Sequence, residues 1–158
     1  MELQTEHNYI SKVIELAIQN IDNDGGPFAA LVVYKGEIIA TGSNTVTISN
    51  DPTAHAEINA IRLACKTLKT FDLTGCILFS SCEPCPMCLS AIYWSHIDKV
   101  FFSLTSKDAH NAGFDDAFLY NELTLPLSQR KIPFAKIDNS KSFQVFAKWL
   151  CKNDKILY

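Results

Sequence analysis

The chain has 158 residues and a formal net charge of −3, a size that one folded domain can occupy. Its first residues lack the basic and apolar regions of a secretion signal, and no apolar run approaches the ~20 residues of a membrane helix. Residues 1–129 hold 15 acidic and 7 basic side chains, whereas nucleic-acid binding favours a focused positive surface. We therefore expect one domain over residues 1–158 of a cytoplasmic protein, and we expect neither a membrane nor a nucleic acid as its partner.

The first half of the chain predicts a helix, a β-hairpin and a second helix. Apolar residues at helical spacing predict an amphipathic helix over residues 5–22, namely Ile10, Val13, Ile14, Ala17, Ile18 and Ile21. Apolar runs at 28–33 and 37–41 flank a short glycine-containing turn and predict the hairpin. Asp51 before Pro52 is typical of an N-cap followed by proline in the first turn, so a second helix is expected to begin there.

The second half of the chain predicts strands that alternate with helices. The strands are expected over 76–80, 99–104 and 134–137, and the helices from near Pro84 through Trp94, over 117–123 and over 140–152. The last helix is expected to turn its apolar residues inward: Phe143, Phe146, Ala147 and Leu150. Strands separated by helices after an initial hairpin indicate an α/β fold, a three-layer α/β/α sandwich with a mixed sheet of about five strands.

Two short motifs supply the residue types of a catalytic zinc site. His55 and Glu57 stand two positions apart, and Cys85 and Cys88 lie in a Pro-Cys-Pro-Met-Cys run. Zinc in hydrolytic enzymes binds three protein ligands and keeps a fourth position for water. His55, Cys85 and Cys88 are therefore candidate ligands of one Zn²⁺ per chain, with water as the fourth ligand. Such a combination is typical of zinc nucleobase deaminases.

The predicted helices also favour this chemistry. His55 and Cys85 fall in the first turn of a predicted helix, where unpaired N–H groups favour thiolate and neutral imidazole. Cys85 and Cys88 are three residues apart, so they lie on one helix face. Glu57 is only two residues from His55 and points in a different direction, which leaves it as the proton carrier. We expect zinc-bound hydroxide to attack an amino-bearing ring carbon while Glu57 moves the proton.

Two zinc proteins of other kinds are alternatives. Because Cys82, Cys85 and Cys88 are evenly spaced, Cys82 could complete a closed structural site. A catalytically silent zinc module that acts only in binding is the second alternative. Glu57 has no use in either, and its presence favours the catalytic interpretation. The remaining cysteines are interpreted as packing residues, since no secretion signal accompanies them: Cys65, Cys76 and Cys151.

The motifs resemble those of a known superfamily. Asp-Pro-Thr-Ala-His-Ala-Glu at 51–57 and Glu-Pro-Cys-Pro-Met-Cys at 83–88 are similar to the cytidine and nucleobase deaminases. The stretches at 25–28, 91–94 and 112–116 make the chain resemble the bacterial guanine deaminases over nearly its full length. The resemblance implies a cytidine deaminase-like fold and the hydrolysis of guanine to xanthine and ammonia.

The resemblance also implies roles for residues outside the zinc motif. In that family the asparagine that matches Asn44 holds the purine, and the backbone near Ala56 adds hydrogen bonds to it. The aspartate that matches Asp116 handles the exocyclic amine and assists proton transfer. Phe28 and Trp94 match residues that help to wall the pocket.

The resemblance further implies a homodimer. Family members exchange their C-terminal segments, which here correspond to about residues 138–158, so that Tyr158 would close the pocket of the other subunit. Two departures are visible in this chain. Ser90 stands where many relatives have glycine, and the tail at 154–158 is more apolar than expected of the family.

Other deaminase substrates stay open at this point. A tRNA adenosine deaminase shares the stretch at 51–57 almost word for word, but it needs a positive surface for a polyanion. The acidic body of the chain and the carboxylates at 115–116 count against it. Cytosine or guanosine is a further alternative, because the width of a pocket is not visible in a sequence. His96 and His110 match no catalytic residue and are interpreted as surface or loop residues.

Overall fold

The computed structural model describes residues 2–157 and contains one four-stranded mixed sheet. Its strands are β1 (Ala29–Tyr34), β2 (Glu37–Ser43), β3 (Cys76–Cys82) and β4 (Lys99–Leu104). They lie in the order β2-β1-β3-β4. β1 pairs antiparallel with β2 and with β3, whereas β3 and β4 pair in parallel. β2, β3 and β4 therefore run in one direction, and β1 runs in the opposite direction.

Helices connect the strands and continue after the sheet. They are α1 (Glu2–Asp22), α2 (Val46–Ser49), α3 (Ala56–Leu68), α4 (Pro86–Trp94), α5 (Ser106–Asn111), α6 (Ala117–Thr124) and α7 (Phe143–Leu150), with a 3₁₀ turn at Leu127–Gln129. Across residues 2–157, every helix is too short or too polar to span a lipid bilayer.

Strand β1 separates two apolar layers because successive side chains point to opposite faces of a sheet. Leu31 and Val33 pack in one buried cluster with Val13 of α1. Val32 packs in the other cluster with Ala60 of α3 and with an isoleucine of α4. Helices therefore cover both faces of the sheet, which confirms the predicted α/β/α sandwich.

The chain segments that carry the candidate site residues meet at one edge of the sheet. Because β2, β3 and β4 run in one direction, their carboxyl ends meet at one edge, together with the amino end of β1. Asn44 follows β2, Cys85 follows β3, and Phe28 precedes β1. In open α/β sheets, ligands bind at the carboxyl ends of the strands. The strand order therefore already places a site at this edge.

The chain divides into two compact units, with the boundary after residue 118. The first unit holds the sheet and α1 to α5. The second unit holds most of α6, the 3₁₀ turn and α7, and residues 133–139 between them have no regular structure. Within it, the Lys131 N–H donates to Glu122 Oε2 at 2.9 Å and fixes the turn after α6.

The sequence prediction is partly wrong in this second unit. The segment 134–137, predicted as a fifth strand, is irregular, so the sheet formed by residues 2–157 has four strands. A strand needs a neighbouring strand for its N–H and C=O groups, and this segment pairs with no described one. α7 forms within the predicted helix, but all four residues predicted to face inward are exposed: Phe143, Phe146, Ala147 and Leu150.

The start of α3 also differs from the prediction. The helix begins at Ala56, not at Asp51. The Asp51 carboxylate instead accepts hydrogen bonds from the Thr53 N–H at 2.8 Å and from the Thr53 hydroxyl at 2.7 Å, which closes a tight turn before the helix. α2 and α5 were not predicted, because helices of 4 and 6 residues are too short for a periodic pattern.

The buried face of α1 is rotated from the predicted one. Val13, Ala17 and Asn20 are buried, whereas Ile18 and Ile21 are more than half exposed. Positions 13, 17 and 20 follow the i, i+4, i+7 spacing of one helix face. The apolar pattern predicted the helix correctly, but it did not indicate that the polar Asn20 is buried.

Gly42 sets the distance between β2 and α3. A Cβ atom at this position would lie 2.3 Å from the Ala56 carbonyl oxygen and 2.5 Å from the Ala60 nitrogen. No side chain fits there, so the strand and helix backbones are in direct contact. This contact holds the first turn of α3, next to His55, against the sheet.

Gly42→Ala is therefore expected to lower the free energy of unfolding by about 1–3 kcal/mol, the typical cost of overpacking. Urea denaturation measures the change. Thr41→Ala, at an exposed position of the same strand, is the control and should change stability little. Wild-type stability in Gly42→Ala would contradict the direct backbone contact.

Candidate active site

His55, Cys85 and Cys88 form one cluster of metal-binding atoms, all within 4.8 Å of one another. His55 Nδ1 is 3.6 Å from Cys85 Sγ and 3.5 Å from Cys88 Sγ. Zinc–sulfur bonds of about 2.3 Å and zinc–nitrogen bonds of about 2.0–2.1 Å, at the tetrahedral angle, place the sulfur and nitrogen about 3.6 Å apart. The donor set and its spacing therefore fit a zinc ion.

Two helix N-termini position these ligands. His55 is the N-cap of α3, and Cys85 is the N-cap of α4, whose first residue is Pro86. Proline suits this position because the N–H that it lacks would have no partner within the helix. The partial positive charge at each helix N-terminus favours thiolate over thiol and neutral imidazole over imidazolium. Metal binding requires both of these forms.

A hydrogen bond between Cys85 and Cys88 shifts the pKa values of the two thiols in opposite directions. A hydrogen bond from Cys88 lowers the pKa of Cys85 to about 4, against the opposing effect of burial. The same hydrogen bond, together with burial, raises the pKa of the Cys88 thiol. The hydrogen bond with Cys85 raises the pKa of His55. Zinc binding requires both thiolates and therefore displaces the proton of the Cys88 thiol.

Glu57 lies beside the cluster in a buried position. Its Oε2 accepts a hydrogen bond from the Cys88 thiol at 3.5 Å, and its Oε1 accepts one from the Ser80 hydroxyl at 3.1 Å. Burial raises the pKa of the Glu57 carboxyl group. A carboxyl group held next to the ligands in this way is placed for proton transfer. The sequence analysis missed Ser80, because only the folded sheet brings it to Glu57.

Cys82 lies outside the cluster, although its spacing from the two ligand cysteines is even. It ends β3, and its thiol donates to the Thr105 carbonyl at 3.5 Å. Burial raises the pKa of Cys82 to about 11, so it stays a thiol. Among the His, Cys, Asp and Glu residues that the structure describes, the metal-binding group consists of His55, Cys85 and Cys88. The closed structural site therefore lacks its fourth protein ligand.

Asn44 stands in a tightly held loop after β2. Its side-chain oxygen accepts from the Val46 N–H at 3.3 Å, and its backbone oxygen accepts from the Asn20 amide at 2.8 Å. The same amide donates to the Gly26 carbonyl at 2.7 Å. A Cβ atom on Gly26 would lie 2.9 Å from Asn44 Oδ1, so glycine leaves room for this side chain. The buried Asn20 of α1, which the sequence analysis missed, thus fixes the loop.

Phe28 and Phe114 join the segment after α5 to the same edge of the sheet. Their ring centroids are 4.9 Å apart in an edge-to-face arrangement. Asp116 stands two residues beyond Phe114, and burial and then the charge of Cys85 raise the pKa of its carboxyl group. The structure therefore brings Phe28 and Asp116 to the edge that carries the cluster. Phe114 belongs to the stretch at 112–116 that resembles the family, but it was not predicted to line the site.

The structure does not bring every candidate to the cluster. Trp94 ends α4, about 9 Å along the helix axis from the second ligand cysteine, and it is 64% exposed. Tyr158 lies outside the described residues. Ala56, the fully buried first residue of α3, directly follows His55 and does lie beside the cluster. His96 and His110 are exposed, in agreement with their interpretation as surface residues.

A three-ligand zinc cluster beside a buried carboxyl group defines a site of the kind that hydrolytic zinc enzymes use. Residues 3–104 match the family model described as the cytidine and deoxycytidylate deaminase zinc-binding region. The chain therefore belongs to the zinc-dependent cytidine and deoxycytidylate deaminase family. Zinc is its cofactor, and the cluster is consistent with one ion per chain.

Individual proteins of known activity are similar to the chain in sequence or in structure. The chain is 48% identical to guanine deaminase of Bacillus subtilis (strain 168) over 142 residues, which cover 89% of this chain and 91% of the relative. The X-ray structure of guanine deaminase from Bacillus subtilis matches with a TM-score of 0.94 at 46% identity, covering 96% of this chain and 98% of the other. The tRNA-specific adenosine deaminase of Aquifex aeolicus (strain VF5) is 48% identical over 81 residues, which cover 51% of this chain and 54% of the relative.

Zinc content after exhaustive dialysis distinguishes ligands from neighbours. Cys88→Ser removes a thiolate ligand and is expected to lower bound zinc well below one ion per chain. Cys82→Ser is the matched control and should keep stoichiometric zinc. If Cys82→Ser lost zinc to the same extent, Cys82 would be a fourth protein ligand and the site would be a closed structural one.

Proposed function

We propose that the protein catalyses the hydrolytic deamination of guanine to xanthine and ammonia, a step of guanine catabolism. The observation that carries the proposal is the likeness to guanine deaminase over nearly the whole chain, in sequence and in structure. The zinc cluster and the buried carboxyl group beside it supply the means for hydrolysis. The edge of the sheet supplies groups suited to a purine.

Glu57 is the residue that we assign to proton transfer. Zinc, when bound by His55, Cys85 and Cys88, lowers the pKa of a water molecule and so supplies the nucleophile. Glu57 would carry one proton of the attacking water to the purine ring nitrogen and the second proton of that water to the departing amino group. The water oxygen replaces the amino group, so guanine and water become xanthine and ammonia without an oxidant or reductant. The Ser80 hydroxyl holds the carboxyl group in place.

The purine is assigned to the space between the Asn44 loop and the Phe28–Phe114 pair. Because the N–H of Val46 already holds Asn44 Oδ1, the amide group is oriented to donate, and guanine offers an oxygen and ring nitrogens as acceptors. Aromatic side chains can pack against the purine ring. Asp116 is assigned to the exocyclic amine, whose hydrogens a carboxylate can accept.

Three further assignments follow the family resemblance. The backbone near Ala56, at the start of α3, is proposed to add hydrogen bonds to the purine. Trp94, the last residue of α4, is proposed as part of the pocket wall. Tyr158 is proposed to close the pocket of the partner subunit.

A tRNA adenosine deaminase is the enzymatic alternative. The 15 acidic against 7 basic side chains of residues 1–129 give no focused positive charge for a polyanion. The likeness to tRNA-specific adenosine deaminases covers about half to two-thirds of the chain, whereas the likeness to guanine deaminase covers 89% of it. Direct assay of each compound distinguishes guanine from cytosine and guanosine as the substrate.

Purified zinc-loaded protein is expected to change the ultraviolet absorbance of free guanine as xanthine forms. Glu57→Gln keeps the size of the side chain but cannot carry a proton, so turnover should fall by about 10²–10⁴-fold while zinc stays bound. Glu37→Gln, at an exposed position of β2, is the control and should keep wild-type turnover. Activity on a tRNA anticodon loop, cytosine or guanosine without activity on guanine would overturn the proposal.

We also propose a homodimer with exchanged C-terminal segments of about residues 138–158. α7 has no buried residue, and most of its apolar side chains are at least two-thirds exposed. β4 is an edge strand whose Phe102 and Leu104 are nearly half exposed. Apolar surface of this extent marks an interface, and a second copy of the chain is the proposed occupant.

A complementation experiment tests the exchange. Co-expression of Glu57→Gln chains with chains that lack residues 156–158 is expected to restore guanine deamination that neither variant shows alone. In an exchanged dimer, one site combines an intact Glu57 with an intact tail from the partner subunit. Absence of activity in the purified mixed dimer, or full activity of the truncated chain alone, would contradict the closing role of Tyr158.

We further propose a cytoplasmic location. The six cysteines, all of which lie in the described chain, form no disulfide, and two of them belong to the zinc cluster. Reduced cysteines and cysteine zinc ligands are typical of cytoplasmic proteins.

A further inference from the structure

Asn59 connects the loop that carries Asn44 to the segment that carries His55. It lies on the second turn of α3. Its Nδ2 donates to the Ser43 carbonyl at 2.9 Å and to the Ala54 carbonyl at 3.3 Å. Ser43 precedes the residue assigned to the purine, and Ala54 precedes a zinc ligand. One side-chain amide therefore holds both segments.

The two segments also contact each other at this point. The Thr45 N–H donates to the Ala54 carbonyl at 3.0 Å, and the Thr45 hydroxyl oxygen lies 3.2 Å from Asn59 Nδ2. The backbone N–H of Asn59 donates to the His55 carbonyl at 3.0 Å. The amide group thus sits where the loop after β2, the turn before α3 and the helix itself meet.

The chemistry of this contact requires a donor. The carbonyl oxygens of Ser43 and Ala54 can only accept hydrogen bonds, so the atom between them must be the amide nitrogen. An aspartate at position 59 has nearly the same shape but would place a carboxylate oxygen against the two carbonyls. Shape and donor capacity can therefore be tested separately.

We propose that Asn59 is a positioning residue that sets the distance between the purine held at Asn44 and the zinc held at His55. The inference rests on the proposed function, because it assumes that the loop after β2 binds the substrate. α3 carries His55 at its N-cap and Glu57 in its first turn. Asn59 ties the substrate loop to that same helix. It therefore aligns the substrate loop with the ligand and the proton carrier without touching the reacting atoms.

Steady-state kinetics on guanine provide the test. In Asn59→Ala the KM is expected to rise about tenfold, since substrate binding at the loosened loop is lost, with a smaller fall in kcat. Asn59→Asp should raise KM further, because repulsion replaces the two hydrogen bonds. Thr67→Val is the matched control and should keep both constants. It removes, near the other end of α3, a hydroxyl that donates to the Leu63 carbonyl at 2.9 Å and lies 3.4 Å from the Ile39 carbonyl of β2.

A purely structural role predicts a different result. In that case the melting temperature would fall in both Asn59→Ala and Asn59→Asp, while the KM of each folded, zinc-loaded variant stayed at the wild-type value. That result overturns the proposal.

Zinc loss to a chelator separates this test from the proposed function. If wild-type protein does not deaminate guanine, the proposed function fails but the connection can still be measured. Asn59→Ala should then lose zinc several-fold faster than Thr67→Val, because Ala54 and His55 are adjacent. Equal rates would overturn the positioning role.

Discussion

The site depends on the meeting of two helix N-termini at one edge of a sheet. α3 and α4 present their first turns to the same point, and the N-cap of each is a metal ligand, His55 and Cys85. Two partial positive charges would be unfavourable there by themselves. The thiolates of Cys85 and Cys88 offset that charge and can then hold a dication. The close contact at Gly42 and the proline that opens α4 keep the two helix ends in place.

The direction of the strands explains how the other groups reach this point. Three strands end at the same edge and β1 begins there, so Phe28 and Asn44 arrive beside the zinc ligands from separate parts of the chain. Buried polar side chains then fix the details. Asn20 holds the Asn44 loop from α1, and Ser80 holds Glu57 from β3. The chemistry thus belongs to the first unit, whereas the exposed apolar surface of α7 lies in the second.

The sequence predicted the zinc ligands because their spacing is local. Two cysteines three residues apart, and a histidine two residues before a glutamate, show their geometry once a helix is assumed. The supporting residues could not be found in this way. Ser80 and Glu57 are 23 residues apart in sequence, and Asn20 and Asn44 are 24 apart, so only the fold joins them. In the second unit, the apolar pattern correctly indicated a helix but could not indicate which surface covers it, and residues 134–137 formed no strand.

X-ray absorption spectroscopy of the zinc-loaded protein tests the central claim most directly. The account predicts two sulfur neighbours at about 2.3 Å and two nitrogen or oxygen neighbours at about 2.0–2.1 Å, one of them exchangeable with an added inhibitor or anion. The same spectrum is expected from Cys82→Ser. Three sulfur neighbours, or four protein ligands with none exchangeable, would show a closed structural site and would contradict the account.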